Sequence, residues 1–437
     1  MRLSRIIPAF ALCAALPAAQ GADLVAVYRD ALVSDPVFLS ARAAYQAGME
    51  KYPQARAGYL PSVNGNASAF RNDVKLEGQG HLKYDTTVYG VTLTQPIFRL
   101  QNWIALGQGR QQVVQAEAAF GTAQEDLILR VAQAYFDVLL AQDNVALSEA
   151  QKVAISEQLA QAKRNFEVGT STIVDTLEAQ ARYDQSGAKA ISDANDLEIK
   201  KRALQQLVGK PIVGLTPLRD PLQLAPPRPA SAEEWEKSAV DSSFSVAFAR
   251  AGLEIAQSEV NRQRAGHLPT VDLSGSYTHG HDPTKVVPGV IGAGSEVTSL
   301  GVVLSVPIFA GGLTQSRVRE ALANRTKAEQ DFENTQRGVV LSVRTNFLNV
   351  TSGIAQVQAL EQALASTQSQ LDSTILGRDV GVRTSVDVLN AQQQVFQTRR
   401  DLQQARYNYL ISTLRLKAAT GILAEADVEE LNRTLAR

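Results

Sequence analysis

The sequence predicts a mainly α-helical protein with a smaller β component, built as two internal repeats of one half-domain. The stretch FEVGTSTIVDTLEAQ (Phe166–Gln180) returns 212 residues later as RDVGVRTSVDVLNAQ (Arg378–Gln392). Two shorter pairs lie upstream of these stretches: RAGYLPSV (56–63) with RAGHLPTV (264–271), and PIF (96–98) with PIF (307–309). The three offsets are nearly equal and the order is kept, so each half spans about 210 residues, far more than a solenoid repeat.

The first 22 residues have the features of an export signal. Arg2 and Arg5 give a basic start, Ile6–Leu16 is apolar, and small residues follow. An apolar stretch of this length is too short to span a bilayer, so we predict a cleaved secretory signal over 1–22. The single cysteine, Cys13, falls within it, and the exported chain must therefore be stabilised by packing and assembly rather than by disulfides.

Charge and composition exclude several classes of partner and activity. Without the signal the chain carries 41 basic and 44 acidic residues, a net charge near −3, so no nucleic-acid partner is predicted. The exported chain has no cysteine, four histidines, and no G-x-S-x-G, phosphate-binding loop or spaced set of metal ligands. We therefore predict that it is not an enzyme and that it needs neither a cofactor nor a metal.

Long helices account for most of the chain. Apolar residues recur at steps of three and four over 116–141, and no proline interrupts 101–210. This spacing predicts a helix of roughly 65 residues, on the order of 100 Å long, then a break near Gly169 and a second long helix. The second repeat predicts the same pair over Thr314–Gly377 and Thr384–Thr420. Helices of this length are typical of coiled coils.

Four short segments alternate apolar and polar residues, which predicts β-strands. The strands are expected over Val63–Phe70, Thr87–Ile97, Val271–Thr278 and Thr298–Val306, with polar loops over Arg71–Lys83 and Gly280–Ser295. Such alternation suits membrane strands and also an ordinary half-buried sheet. By itself it favours the soluble sheet, because the signal of a single membrane strand is weak.

A proline-rich connector separates the two repeats. Six prolines fall within 211–229, where no helix can continue. We therefore predict a first repeat over 23–210, a connector over 211–230 and a second repeat over 231–437. Each repeat would contain a helix, two strands and two long helices.

Any passage of this chain through a membrane would have to use its strands. No apolar run after the signal reaches the ~18 residues that a spanning helix needs. A sheet in a bilayer must close on itself, because unpaired strand edges find no hydrogen-bond partner there. Four strands cannot close. Two copies would give eight strands with a filled interior, and three copies would give twelve strands with a lumen.

Several motifs resemble those of the TolC family of outer-membrane channel proteins. They are RAG[YH]LP[ST]V, the two PIF strand ends, the turns VGTSTIVD and VGVRTSVD, and ARYNYLISTLRLKAATGIL (405–423). The resemblance covers both repeats. It implies a homotrimer with one 12-stranded transmembrane β-barrel, four strands per chain, continued by a long α-helical coiled-coil tunnel. It also implies a location in the lipid of the cell outer membrane, with the tunnel extending into the periplasm.

The function implied by this resemblance is that of a passive exit duct. Such ducts serve tripartite efflux pumps or type I secretion systems, and they open at the periplasmic tip. The implied partners are a periplasmic adaptor (membrane fusion protein) and an inner-membrane transporter of the ABC or resistance-nodulation-division type. The alternative function is a periplasmic coiled-coil adaptor or scaffold protein without a pore.

The resemblance gives the two repeated turns a role at the closed tip. Asp387 matches a residue of an acidic ring, and three carboxylates in a narrow passage attract cations. Arg383 and Asp175 match a pair that locks neighbouring turns. The simpler interpretation is structural, because Thr172-x-x-Asp175 and Thr384-x-x-Asp387 also have the form of helix capping boxes.

Two positions of the turns depart from the family pattern. Asn390 stands where a second ring carboxylate is found, and Arg378 replaces an aromatic lock residue. Glu178 is a candidate for the source of the lost charge. The adaptor would dock on the turns themselves, at Val168, Gly169, Val380 and Gly381.

Overall fold

The computed structural model describes residues 22–76, 78, 80–212, 214–281, 286–287, 290–291 and 294–436. The predicted export signal therefore lies outside the described residues, apart from Ala22. The helices are α1 Leu24–Ser34, α2 Pro36–Met49, α3 Lys51–Ala57, α4 Leu100–Glu167, α5 Ile173–Val208, α6 Ala232–Ser242, α7 Phe244–Arg264, α8 Leu313–Asp379, α9 Ser385–Thr420 and α10 Glu425–Asn432. The strands are β1 Ser62–Leu76, β2 Gly80–Phe98, β3 Thr270–His281, β4 Val286–Val287, β5 Val290–Ile291 and β6 Gly294–Ser305.

Two long helical hairpins, α4–α5 and α8–α9, confirm the predicted helices. The first helix of each hairpin has 68 and 67 residues, and the second has 36 in both. At 1.5 Å per residue α4 and α8 are each about 100 Å long. Within the described ranges, no helix combines the length and the apolar character that crossing a membrane requires.

The main sheet has the order β1-β2-β3-β6, and every neighbouring pair is antiparallel. The register aligns the apolar positions of the four strands, because Val91 faces both Gly65 and Tyr277, and Leu273 faces Val302. Successive side chains alternate between the two sides of a strand. One face of the sheet is therefore largely apolar and the other is built mainly from serine, threonine, asparagine and glycine.

The strands are longer than the sequence suggested. The predicted loop over 71–83 is wrong, since β1 and β2 pair continuously as far as Leu76 opposite Gly80. The alternation continues here with the faces exchanged: charged residues lie on the side that is apolar elsewhere in the sheet, and Val74 and Tyr84 lie on the other side. The charged side is paired across the strands, as between Arg71 and Asp85 (3.0 Å). β3 and β6 likewise extend into the second predicted loop, whose residues 282–285, 288–289 and 292–293 lie outside the described part of the chain.

The main core forms where the two ends of the described chain meet the long helices. Leu24, Leu204, Leu416 and Leu435 are almost completely buried there. Each such side chain contributes about 2 kcal/mol through burial. Tyr135 also lies in this core and donates its hydroxyl to the carbonyl oxygens of Ala22 (3.1 Å) and Thr216 (2.8 Å). The proline-rich segment is thus held against the helices as extended chain.

A buried carboxyl, Glu125, lies on α4 where α9 ends. One of its oxygens accepts a hydrogen bond from the Leu423 N–H (3.3 Å). Burial raises the pKa of Glu125 from 4.5 to about 7, and the hydrogen bond opposes part of that rise. This carboxyl therefore ionises in the neutral range when the chain is folded.

Replacing Glu125 with glutamine should reduce the pH dependence of stability. In the unfolded chain the Glu125 carboxyl ionises near pH 4.5, and in the folded chain it ionises near pH 7. The stability that its protonated form contributes below pH 4.5 is therefore lost as the pH rises towards 7. This difference between the pKa of Glu125 in the unfolded and in the folded chain corresponds to at most about 3.4 kcal/mol. E125Q keeps a side-chain oxygen that accepts from the Leu423 N–H. The melting temperature of the purified variant should fall less than that of the wild type between pH 5 and pH 8. The exposed Glu117 on α4 gives the control E117Q, and equal pH slopes in all three proteins would contradict the assignment.

Candidate functional site

The two repeated turns end the hairpins and have the same backbone geometry. Gly169 and Gly381 follow the C-cap residues of α4 and α8 with φ of 78° and 81°. A Cβ on either glycine would meet no atom within 4 Å, so the positive φ alone favours glycine. After the first glycine, the Thr170 N–H reaches back to the Asn165 carbonyl oxygen (2.8 Å), which closes the helix end.

Both capping boxes predicted from the sequence are confirmed. The Thr172 hydroxyl accepts from the Asp175 N–H (3.3 Å), and Asp175 Oδ2 accepts from the Thr172 N–H (3.0 Å). The corresponding distances for Thr384 and Asp387 are 3.1 and 2.9 Å. Hydrogen bonds from the threonine backbone, and then from the neighbouring hydroxyls, lower the pKa of each aspartate. Both carboxylates are therefore charged at neutral pH.

Arg383 lies in the second turn, one residue before the capping box. Its charge adds to the lowering of the Asp387 pKa, after the hydrogen bonds from Thr384. A Cβ on Gly377 would lie 2.8 Å from Arg383 Cγ, so this glycine leaves room for the arginine side chain. Among the described residues of the single chain, no hydrogen bond or ion pair joins Arg383 to Asp175. A lock between neighbouring chains therefore stays a prediction.

Arg378 ties the second hairpin to the first. Its Nη1 donates to the side-chain oxygens of Gln158 and Gln161 on α4, both at 3.2 Å. Its Nε and Nη2 bond to Asp379 (3.0 and 2.7 Å). Only 16% of the arginine side chain is exposed. Arg378, which the resemblance predicts to replace an aromatic lock residue, thus forms a polar contact between α8 and α4 within one chain.

Glu178 and Asn390 are brought together by a residue that the sequence analysis missed. Arg182 on α5 bonds Glu178 (Nε to Oε1, 3.2 Å) and also donates to Asn390 Oδ1 on α9 (Nη2, 3.2 Å). The only sequence signal was the spacing of four between Glu178 and Arg182, which predicts an ion pair on one helix. Nothing in that spacing indicates the contact with α9.

The docking residues lie at the exposed ends of the hairpins. Val168 and Val380 are 72% and 66% exposed, and Val174 and Val382 beside them are similarly accessible. Apolar side chains concentrated at an exposed tip are typical of a protein interaction site. Their use by an adaptor stays a prediction. In the described part of the chain, no group of three or more His, Cys, Asp or Glu residues could hold a metal ion.

The chain is similar to known proteins over almost its whole length. The family model described as "Outer membrane efflux protein" matches residues 27–210 and 235–422. Outer membrane protein TolC of Vibrio cholerae is 33% identical, and the match covers 99% of both proteins. The alkaline protease secretion protein AprF of Pseudomonas aeruginosa is 32% identical over 92% of this chain and 85% of that protein.

Similarity to solved structures supports the fold independently. The crystal structure of the outer membrane protein VceC of Vibrio cholerae superimposes with a TM-score of 0.77. The superposition covers 91% of this chain and 96% of that chain, at 19% sequence identity. At this identity the similarity is evidence for the fold alone.

Replacing Thr384 with alanine should destabilise the α8–α9 turn locally. The variant loses the hydroxyl that accepts from the Asp387 N–H but keeps the Asp387 carboxylate, at a cost of about 1 kcal/mol. Hydrogen exchange of the first turn of α9 should accelerate about fivefold. S373A is the control, because Ser373 is exposed and bonds only its own helix, to the Ser369 carbonyl oxygen (2.8 Å). If T384A and S373A exchange alike, the box does not stabilise the turn.

Proposed function

This chain belongs to the outer membrane efflux protein family, and we propose that it is the passive exit duct of a tripartite efflux pump or a type I secretion system. The resemblance to the TolC family is confirmed, and the chain is an outer-membrane channel that extends into the periplasm. Its relatives are channels rather than enzymes. Structures that share its fold include outer-membrane channels, and its relatives include an outer membrane efflux protein, which disfavours the alternative of an adaptor or scaffold without a pore.

The single observation that carries the proposal is the open sheet. Within the described residues, β1 and β6 each have a hydrogen-bonded neighbour on one side only. Strand directions alternate from β1 through β6, so β6 of one copy can pair antiparallel with β1 of the next. Three copies would give twelve strands and a lumen. We therefore propose a homotrimer whose apolar sheet face contacts outer-membrane lipid.

The connection between sheet and helices supports a continuous pipe. α4 follows β2 after the single residue Arg99, and α8 follows β6 by a short link, so both long helices leave the same end of the sheet. The guanidinium of Arg99 bonds both carboxylate oxygens of Asp272 on β3 (2.8 and 2.6 Å). This pair fixes the start of α4 against the sheet. In a trimer the helices would continue the barrel as a periplasmic tunnel.

The turns at the far end of that tunnel are the proposed gate and docking site. Asp175 and Arg383 of neighbouring chains would hold the tip closed, and Asp387 would form the acidic ring. A periplasmic adaptor would bind the exposed turns at Val168, Gly169, Val380 and Gly381. An inner-membrane transporter, of the ABC type for secretion or the resistance-nodulation-division type for efflux, would supply the energy that the duct lacks.

The trimeric channel is tested on purified protein. We expect the full-length protein to fractionate with the outer membrane, to need detergent for extraction, and to have a light-scattering mass of three chains. In planar lipid bilayers it should conduct ions as discrete channels. A stable monomer, or a trimer that carries no current, would contradict the proposal.

The lock between neighbouring turns is tested by single-channel conductance. R383S and D175A should each raise conductance severalfold, because either change removes one half of the ion pair. Since Asp175 also belongs to a capping box, T172A is the matched control: it breaks the box and keeps the carboxylate. The lock is excluded if R383S and D175A conduct like T172A.

A further inference from the structure

One guanidinium joins the two hairpins of a single chain close to the turns. Arg182 lies two helical turns beyond Asp175 on α5. Its Nη1 donates to Gln393 Oε1 (2.7 Å) and its Nη2 to Asn390 Oδ1 (3.2 Å), and both acceptors belong to α9. Because the two acceptors are one helical turn apart, the planar fork of the arginine meets both at once. This contact connects segments that are more than 200 residues apart in the sequence.

Little else holds α5 to α9 in this region. A small apolar cluster lies beside the arginine: Ile155, Leu159, Ala162, Ala179 and Leu389. Further from the turns is a cavity of about 210 Å³ between α4, α5 and α9, which Arg182 also lines. Arg400 of α9 also lines this cavity, and it approaches the buried Asp193 of α5 only to 3.6 Å. The attachment near the tip therefore depends strongly on Arg182.

The same arginine also neutralises the charge of a carboxylate close to the turns. Its Nε lies 3.2 Å from Glu178 Oε1, so the glutamate has a cationic partner on its own helix. The side chain of Asn390 is neutral. The hypothesis that Glu178 supplies the missing ring charge is thus opposed by the geometry, since the Glu178–Arg182 pair has no net charge. In the second turn Asp387 is influenced by the charge of Arg383, but among the described residues no arginine forms an ion pair with it.

We propose that Arg182 is a second determinant of the gate, resting on the proposed trimeric channel. It latches the first hairpin to the second within each chain, and it cancels the charge of Glu178. The hydrogen bonds from Arg182 to α9 limit the opening of the closed tip. The cancelled charge leaves the passage with one acidic ring instead of two, which weakens its preference for cations.

The two roles of Arg182 are separated by two variants measured in planar bilayers under a salt gradient. R182Q should raise single-channel conductance at least twofold and shift the reversal potential towards cations, because Glu178 then lacks its partner. The double variant E178Q/R182Q should keep the raised conductance and return the reversal potential to that of the wild type. Light scattering checks that each variant is still a trimer.

Two further variants complete the test. R202Q is the matched control, because Arg202 lies on α5, is exposed and donates to Gln205 on the same helix (2.9 Å). It should behave as the wild type. N390D gives Arg182 a carboxylate partner on α9 and should lower conductance. A misfolded tip would not produce this opposite effect.

The outcomes separate this inference from the proposed function. If the wild type conducts and D387N reduces its cation preference, the channel and its ring stand. In that case, if R182Q has the same conductance as R202Q, Arg182 does not hold the hairpins together. If the reversal potential of R182Q equals that of the wild type, Arg182 does not neutralise Glu178. If the wild type forms no channel, the proposed function fails and this inference fails with it.

Discussion

Among the described strands, β1 and β6 each have one unpaired edge, and this is the constraint on which the rest of the architecture depends. In a bilayer no water can satisfy the exposed backbone groups, and each one costs several kcal/mol. A four-stranded antiparallel sheet with one apolar face is therefore stable there only when copies of the chain complete it. In the proposed trimer the two hairpins of each copy would leave the same end of the sheet and would continue the barrel as a tunnel.

The repeat duplicates the scaffold of the turns but not their contacts. Both turns have a glycine with positive φ and a threonine–aspartate capping box. Around this common frame, Arg182 reaches α9 from the first hairpin and Arg378 reaches α4 from the second. Capping and gating are also compatible functions, since the bonds of the box to Asp387 use Oδ2 and leave Oδ1 for a partner.

Burial is distributed unevenly along the hairpins. The large apolar core lies where α1, α10 and the proline-rich segment pack on α4 and α9, with Tyr135, Leu204 and Leu416 fully enclosed. Near the turns the apolar cluster is small, and polar contacts connect the hairpins. Separation of the hairpins at this end would therefore expose little apolar surface and break few contacts. A segment with these properties is where a local transition costs least free energy.

The sequence alone predicts the long helices, the breaks at Gly169 and Gly381, the capping boxes and the four strands. Each of these depends on residues within a few positions of one another, through periodicity, positive φ or a side chain that caps its own helix. The extension of β1 and β2 is not predicted, because the many charged residues of 71–85 resemble a loop and the apolar residues change to the other face of the sheet there. The contacts of Arg182 and Arg378 are not predicted either. Their partners lie more than 200 residues away, and the packing of two separate hairpins brings them within hydrogen-bond distance.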